Sequence, residues 1–387
     1  MHLEQLSVVD WRSYASADVA LGPGVRVLLG PNAQGKTNLL EAVHYLATGA
    51  SHRVASDAPL VRSGAPAAVL RAQARVGEDA RRATIELEIR PGGRSRAQVN
   101  GQPQRRVADA VGIVRAVLFA PEDLALVRGD PADRRRFLDG LLAQRRPAYA
   151  AARGEYERVL RQRNQLLKDA RRRATGADAT LSDWTDALAR AGATLLAARI
   201  AVVHALAGPT AAAYRELLAG PAGPEAADDV ALAYESSTGR RIPAEPSAGV
   251  PDPAELVEEL RVALAERADE EVDRGITLVG PHRDELALAI GDLPARGYAS
   301  HGECWSLALA LRLASREVLR EVGDEPIVVL DDVFAELDAT RRARLAERCR
   351  GFEQVLISAA VDDDVPLDGA RYRVRAGTVI PLAEEVA

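Results

Sequence analysis

The chain has 387 residues, enough for two or three domains with a sizeable core. Its two cysteines, Cys304 and Cys349, exclude a disulfide framework and a cysteine metal cluster; no apolar run reaches membrane-spanning length, and "MHLEQLSVVDW" lacks a signal peptide's charged start and apolar stretch, so a cytoplasmic protein with no membrane partner is expected. The formal net charge of −6 is polarised: Arg128 to Arg173 holds fourteen Arg or Lys against six Asp or Glu, which is +8 and leaves −14 for the rest.

Residues 1 to about 120 read as strand-rich. "LEQLSVVDW", "VRVLLG", "AAVLRAQARV", "RATIELEIR" and "VRAVLFA" are separated by Gly, Pro and Asn. "EIRPGGRSRAQVNGQPQ" predicts a hairpin region with turns at Pro-Gly-Gly and Asn-Gly. Between the first two strands and the third lies "LLGPNAQGKTNLLEAVHYL", Leu28 to Leu46. Gly30, Pro31, Asn32, Ala33, Gln34, Gly35, Lys36 and Thr37 have the G-x-x-x-x-G-K-[ST] form, preceded by a short apolar run. Leu39, Leu40, Val43 and Leu46 then share one helical face. A strand, a glycine turn and a helix N-terminus aim several backbone N–H groups at one spot, where the helix dipole also favours an anion. Lys36 would reach the β- and γ-phosphates of ATP, and the Thr37 hydroxyl would hold Mg²⁺. Of 50 basic residues only Lys36 and Lys168 are lysine, and a compact ammonium fits that cradle where a planar guanidinium does not.

From Pro131 to about Gly208 the pattern turns helical and rich in Ala, Leu and Arg. Leu181, Trp184, Leu188, Ala191, Leu195, Ala198 and Val202 form a heptad seam, and Tyr156, Leu160 and Leu167 support a partner helix. An antiparallel pair standing off as a short arm and a core helix of a small bundle both satisfy this pattern. The basic excess fits a footprint on a polyanion such as DNA, with Arg171, Arg172 and Arg173 as contacts; a solvated arginine-rich face gives the same count.

Residues 208 to 253 are Gly-, Pro- and Ala-rich around one strand, "DVALAYES", and end in a linker, "RRIPAEPSAGVPDP". A helix is expected over 254–271, then strands at "GITLVG" and "ELALAI", then the helix "WSLALALRLASREVLREV". This gives three parts: 1–127, a helical insert over 128–253, and 254–387. In "PIVVLDDVFAELD" a buried strand delivers Asp331 at its C-terminal end, where α/β folds bind ligands. Asp331 suits Mg²⁺, and Asp332 would orient or deprotonate the attacking water. In "ASHGECWSLALALRLA", Ser300 and Gly302 open a helix 31 residues before Asp331, another N-terminus suited to an anion.

The order of phosphate loop, helical insertion, Ser-x-Gly helix start, Asp-Asp strand and "AELD" resembles the ABC-type P-loop ATPase heads of chromosome maintenance and repair, an α/β fold with an inserted mostly helical arm. Within them the chain is similar to the RecF family of bacterial recombination mediators over essentially its whole length. "DWRSY", "GPNAQGKTNLLEA", "FAPEDLALVRGDPADRRRFLD", "YERVLRQRNQLLK", "TLVGPHRDEL" and "LDDVFAELD" carry that resemblance. It departs at "SHGEC", where many members have Ser-Gln-Gly-Gln-Gln, which leaves the contacts of His301 and Glu303 open while Ser300 and Gly302 carry over. Asp332 replaces the usual Glu, and Ser358 and Ala359 stand where transporter ATPases have a switch histidine; both changes suggest slow turnover. Trp11 and Ser13 replace Phe and Asn, while Arg12 still matches and would touch a phosphate or the base.

The resemblance implies a weak, DNA-stimulated ATPase in which two chains close around two ATP. Lys36, Thr37 and Asp331 would act in cis and Ser300 and Gly302 in trans, with Glu122 or Asp123 sensing Mg²⁺ and γ-phosphate. DNA with a gap or single-strand/duplex junction would lie across the dimer, and RecO and RecR would help RecA load in recombinational repair, replication restart and SOS induction. Three rivals share the loop. A transporter subunit usually has a shorter, Arg-poor insert, a chromosome-maintenance ATPase needs longer arms, and a small-molecule kinase has no use for the Ser-x-Gly turn. His282, Arg283 and Asp284 of "GPHRDE" would contact DNA or the partner head, or form a buried ion pair; the second is favoured.

Overall fold

The computed structural model describes residues 1–77, 79–173, 179–218, 229–245 and 249–382. In chain order, β1 (His2–Trp11), β2 (Tyr14–Ala20) and β3 (Gly24–Leu29) lead into α1 (Lys36–Thr48). β4 (Ala68–Val76), β5 (Arg81–Ile89), β6 (Arg96–Val99), β7 (Gln102–Pro103) and β8 (Ala116–Phe119) follow. Next come α2 (Leu124–Arg128), α3 (Pro131–Arg145), α4 (Pro147–Arg173) and α5 (Ala179–Leu218). They are followed by β9 (Val230–Glu235), β10 (Arg241–Pro243), α6 (Pro253–Glu266), α7 (Ala268–Arg274), β11 (Glu285–Ile290), β12 (Leu293–Pro294) and α8 (Ala295–Tyr298). The last elements are α9 (His301–Arg320), β13 (Ile327–Asp331), α10 (Ala339–Cys349), β14 (Gln354–Ala359), β15 (Ala370–Arg375) and β16 (Thr378–Pro381).

Contacts divide the chain into two units, Met1–Leu124 with Ala212–Ala227 and Ala308–Ala387, and Ala125–Ala211 with Asp228–Leu307. These cuts fall elsewhere than 127 and 253, because β9 to β12 group with the helices around them.

The first unit holds two six-stranded sheets. One is antiparallel, in the order β2-β1-β4-β5-β6-β7, and along β4 and β5 buried residues alternate with more accessible ones, as in buried Ala68, Leu70, Ala72 and Ala74 of β4. The other, β16-β15-β3-β14-β13-β8, is parallel except for its edge strand β16. Its central strands β13 and β14 are buried at every residue, which is why they read as continuous apolar runs. Helix α1 touches β1 and β4 of one sheet and β8, β13 and β14 of the other. It is therefore buried on more than the one face read from the sequence: Ala42, Tyr45 and Ala47 are as enclosed as Leu39 and Leu46. The Asn-Gly turn forms as expected, with Asn100 and Gly101 both at positive φ.

In the second unit α4 and α5 run antiparallel. The Arg163 Nε donates to Thr185 Oγ1 at 3.0 Å, and a Cβ on Gly192 would lie 3.4 Å from Tyr156, 3.2 Å from Leu260 and 3.3 Å from Pro281. Helix α5 is thus braced by α4, α6 and the loop at Pro281. Its buried stripe is accordingly broader than a heptad seam, taking in Ala189, Ala193, Leu196, Ile200 and Val203. β9 and β11 form the centre of a four-stranded antiparallel sheet, β10-β9-β11-β12.

Four sequence expectations are corrected. Helix α5 does not stop near Gly208 but runs through Pro209 to Leu218, with the Thr210 hydroxyl donating to Leu206 O at 2.7 Å across the kink-prone turn. The same helix, from Thr180, is long and apolar enough by length and composition to cross a membrane, although 56% of its most apolar window is buried inside the protein, as in a core helix. The helix over 254–271 is two, α6 and α7, meeting at Arg267. "GITLVG" is not a strand: side chains take the place of a sheet neighbour. Thr277 N donates to Asn164 Oδ1 (2.8 Å), Leu278 N to Glu271 Oε1 (2.6 Å) and Gly280 N to Ser237 Oγ (2.8 Å). The strand-like composition thus belongs to an apolar segment held down by polar side chains.

Candidate functional site

The glycine turn after β3 needs its glycines. Gly30 and Gly35 lie at φ 157° and 110°, and a Cβ would come within 2.3 Å of Val374 O at Gly30 and 2.7 Å of the Tyr14 hydroxyl at Gly35. Ala33 takes φ 64° between them. Gln34 anchors the loop by accepting from Ala376 N at 2.8 Å, and the Tyr14 hydroxyl donates to Gly35 O at 3.1 Å. Pro31 and Asn32 form the exposed crest. The result is a rigid turn that feeds α1 with its first N–H groups unused.

Lys36 is 3% exposed, and its Nζ donates to the loop's own carbonyls, Gly30 O at 2.7 Å and Pro31 O at 3.3 Å. Among the described residues no carboxylate pairs with this ammonium. A buried cation held only by carbonyls at a helix N-terminus is a site built for an anion. Thr37 and Asp331, 294 residues apart in sequence, meet there: Thr37 Oγ1 donates to Asp331 Oδ1 at 3.0 Å. Strands β13 and β14 pair Asp331 with Ser358, whose hydroxyl donates to Asp331 Oδ1 at 2.6 Å and accepts from Asp332 N at 2.9 Å. Burial pushes the Asp331 carboxyl up to about 6, against the lowering hydrogen bonds from Ser358 and Thr37 and with help from the nearby Asp332 and Glu122 charges. Asp332 turns the chain out of β13 at φ 51°.

A raised carboxyl facing two further acids is short of positive charge, and the neighbouring hydroxyl is a hard oxygen ligand. Thr37 and Asp331 therefore fit Mg²⁺, with the remaining positions left to phosphate and water oxygens.

Of the two acids in "APEDL", Asp123 is structural. It accepts from Ala120 N at 3.0 Å and from Arg312 Nη2 at 2.6 Å. Glu122 is the one left exposed near Asp331. Arg12 is engaged by the protein, giving Nε and Nη2 to Glu41 and Nη1 to Pro59 O. Ser300 and Gly302 lie in the second unit, whereas Lys36 and Asp331 lie in the first. Ser300 N donates to Glu303 Oε2 at 2.7 Å and Glu303 N to Ser300 Oγ at 3.3 Å, a reciprocal capping box at the start of α9. His301 is exposed beside it. Arg171 and Arg172 are exposed on the last turn of α4, Arg172 with Asp169 at 3.6 Å; Arg173 ends that helix, and its side chain lies outside the described set. In "GPHRDE", His282 Nδ1 lies 2.7 Å from the Tyr156 hydroxyl, and Asp284 accepts from Tyr234 Oη at 2.8 Å and Ser237 N at 2.7 Å. Both are structural, and Arg283 alone of the three is exposed.

Sequence reasoning missed Tyr14, Glu41, Ser51 and Arg53. Ser358 was visible only as the residue standing where a histidine was sought.

Comparison with known proteins identifies the family. The family described as RecF/RecN/SMC N terminal domain matches residues 2–370. The DNA replication and repair protein RecF of Streptomyces avermitilis is 55% identical over 386 residues, covering 98% of this chain and 99% of that one. The Frankia alni protein of the same name is 54% identical over 98% and 99%. A solved structure of the recombination mediator protein RecF with ATP superposes with a TM-score of 0.88 at 27% identity, over 99% of this chain and 98% of that chain. An Smc head bound to the winged-helix domain of ScpA, with a TM-score of 0.52 at 15% identity, shares the fold alone. With its ABC-type head, its helical insert and these relatives, the chain belongs to the RecF family.

Proposed function

We propose that the chain is a cytoplasmic ATP-dependent DNA clamp of recombinational repair and replication restart, with slow ATP hydrolysis resetting it. The observation that carries this is the buried Lys36 ammonium, which has only carbonyl partners among the described residues, beside the 3.0 Å Thr37–Asp331 contact. The solved RecF structures named for ATP and for the RecFOR pathway support the same reading. In it, Lys36 and the N–H groups of residues 32–37 bind the triphosphate, and Thr37 and Asp331 hold Mg²⁺. The cation when bound supplies charge neutralisation on the phosphate oxygens. Ser358 orients the Asp331 carboxylate. Asp332 accepts a proton from water, and its shorter side chain suits slow turnover. Ser300 and Gly302 serve the site of a second copy, so ATP closes a homodimer. Arg171, Arg172 and Arg173 contact DNA phosphates without reading sequence. RecO and RecR are the partners through which RecA loading and SOS induction follow, and a mostly helical insert interrupts the ATPase head.

Sedimentation tests this without nucleotide, with ADP, ATP or a non-hydrolysable analogue, each with and without gapped DNA. ATP is expected to drive dimerisation, and Asp332→Asn to prolong the dimer by slowing hydrolysis while sparing Mg²⁺ binding. A chain that binds ATP yet stays monomeric in every arm would sink the clamp.

A further inference from the structure

Glu41 takes no part in the chemistry above, yet it is fully buried one turn beyond Thr37 on α1. Four atoms from three side chains converge on its carboxylate. Arg12 donates from Nε (2.7 Å) and Nη2 (2.5 Å), Ser51 Oγ donates at 2.5 Å, and Arg53 Nη1 lies 3.7 Å from Oε2. Ser51 Oγ in turn accepts from Arg53 N at 3.0 Å and Val54 N at 3.1 Å. Arg53 Nη1 also donates to Asn38 Oδ1 at 3.2 Å, and Asn38 is the residue after Thr37. One anion thus joins three segments: the β1–β2 turn, the first turns of α1, and the loop at 51–54.

By charge alone a carboxylate here opposes a triphosphate bound at the same helix N-terminus. Its two guanidiniums outweigh it by one positive charge, and a buried anion with this many donors is satisfied rather than strained. Its use is geometric. We propose that Glu41 is a positioning residue of the nucleotide site, fixing the Arg12 and Arg53 guanidiniums against the first turn of α1 so that their net positive charge meets the nucleotide in one arrangement. This rests on the ATP-binding reading.

The test compares wild type with Glu41→Gln, which keeps the shape and removes the charge, and with Ser51→Ala, which keeps the carboxylate and removes one donor. Affinities for fluorescent ATP and ADP analogues, kcat, KM and the thermal midpoint are measured for each. For Glu41→Gln, kcat should fall about tenfold or more while KM and ADP affinity move less than about threefold, the pattern of an interaction that matters after binding. Ser51→Ala should lower kcat by about threefold in the same pattern. The conservative Arg12→Lys combined with Glu41→Gln should fall no further than Glu41→Gln alone, since both break one unit. Unchanged kcat in a folded Glu41→Gln protein overturns the proposal. So does loss of kcat only in step with the folded fraction, or weakened ATP and ADP binding with kcat kept. Should Glu41→Gln fail to fold, unchanged kcat in Ser51→Ala overturns it. Wild type that binds neither analogue overturns the nucleotide reading itself, a result seen before any variant is made.

Discussion

At Gly35 the backbone holds φ 110° and the Tyr14 hydroxyl stands where a side chain would begin. Gly35→Ala must shift the loop or Tyr14, moving N–H groups aimed at the phosphates. Losing about one charge-assisted hydrogen bond costs about 2 kcal/mol, or roughly thirtyfold in ATP affinity. Gly92 is the control: it also has positive φ, 71°, but a Cβ there meets nothing within 4 Å. Gly92→Ala should cost a little stability and no affinity. Calorimetric titration of both variants checks this, and equal affinities would mean that Tyr14 does not set the loop. The glycines, Lys36 and Thr37 were legible because their spacing within eight residues is itself the signal. Tyr14 and the Glu41 group were not. Arg12 stands 29 residues from Glu41 and Ser51 ten, and no local pattern records a pairing made by the fold.

Among elements, the helical period announced α4 and α5 but not what would cover them. Two signals misled. Pro209 reads as a helix end, yet the helix continues through it; "GITLVG" has strand composition, yet its N–H groups go to Asn164, Glu271 and Ser237. That sewn segment has a pH consequence. His282, enclosed beside Tyr156, has its imidazole lowered to about 4, chiefly by burial. The unfolded histidine titrates near 6.5, so between 6.5 and 4 the unfolded chain binds more protons than the folded one. The stability from neutral His282 is complete above about pH 6.5 and lost as pH falls, by about 2 kcal/mol at pH 5. Buried His52 and His44, both lowered, act in the same direction. Denaturant unfolding at pH 7.5 and 5 should show wild type losing about 2 kcal/mol more than His282→Gln over that interval. Equal losses would mean that folded His282 is charged.

For the whole molecule, what the sequence carried was order: a phosphate loop near residue 30, a helix-opening Ser300 and an acidic strand end at Asp331. The fold brings the first and last together at 3.0 Å, while Ser300 belongs to the other unit. The trans assignment of Ser300 is tested by mixing two dead chains. Lys36→Ala removes the ammonium from the site of the protomer that bears it, and Ser300→Arg obstructs the site of the partner. Each homodimer then has two dead sites. In a mixed dimer one site takes both mutations, while the other combines the intact loop of the Ser300→Arg chain with the intact turn of the Lys36→Ala chain. Random pairing makes about half the dimers mixed, each with one good site, so about a quarter of wild-type ATPase activity should return if the sites act independently. If hydrolysis needs both sites filled, recovery is smaller, and dimerisation driven by a non-hydrolysable ATP analogue reads the same geometry. Were both residues to serve one site in cis, no mixture would restore either signal, and Ser300 would have to be placed in its own protomer's site.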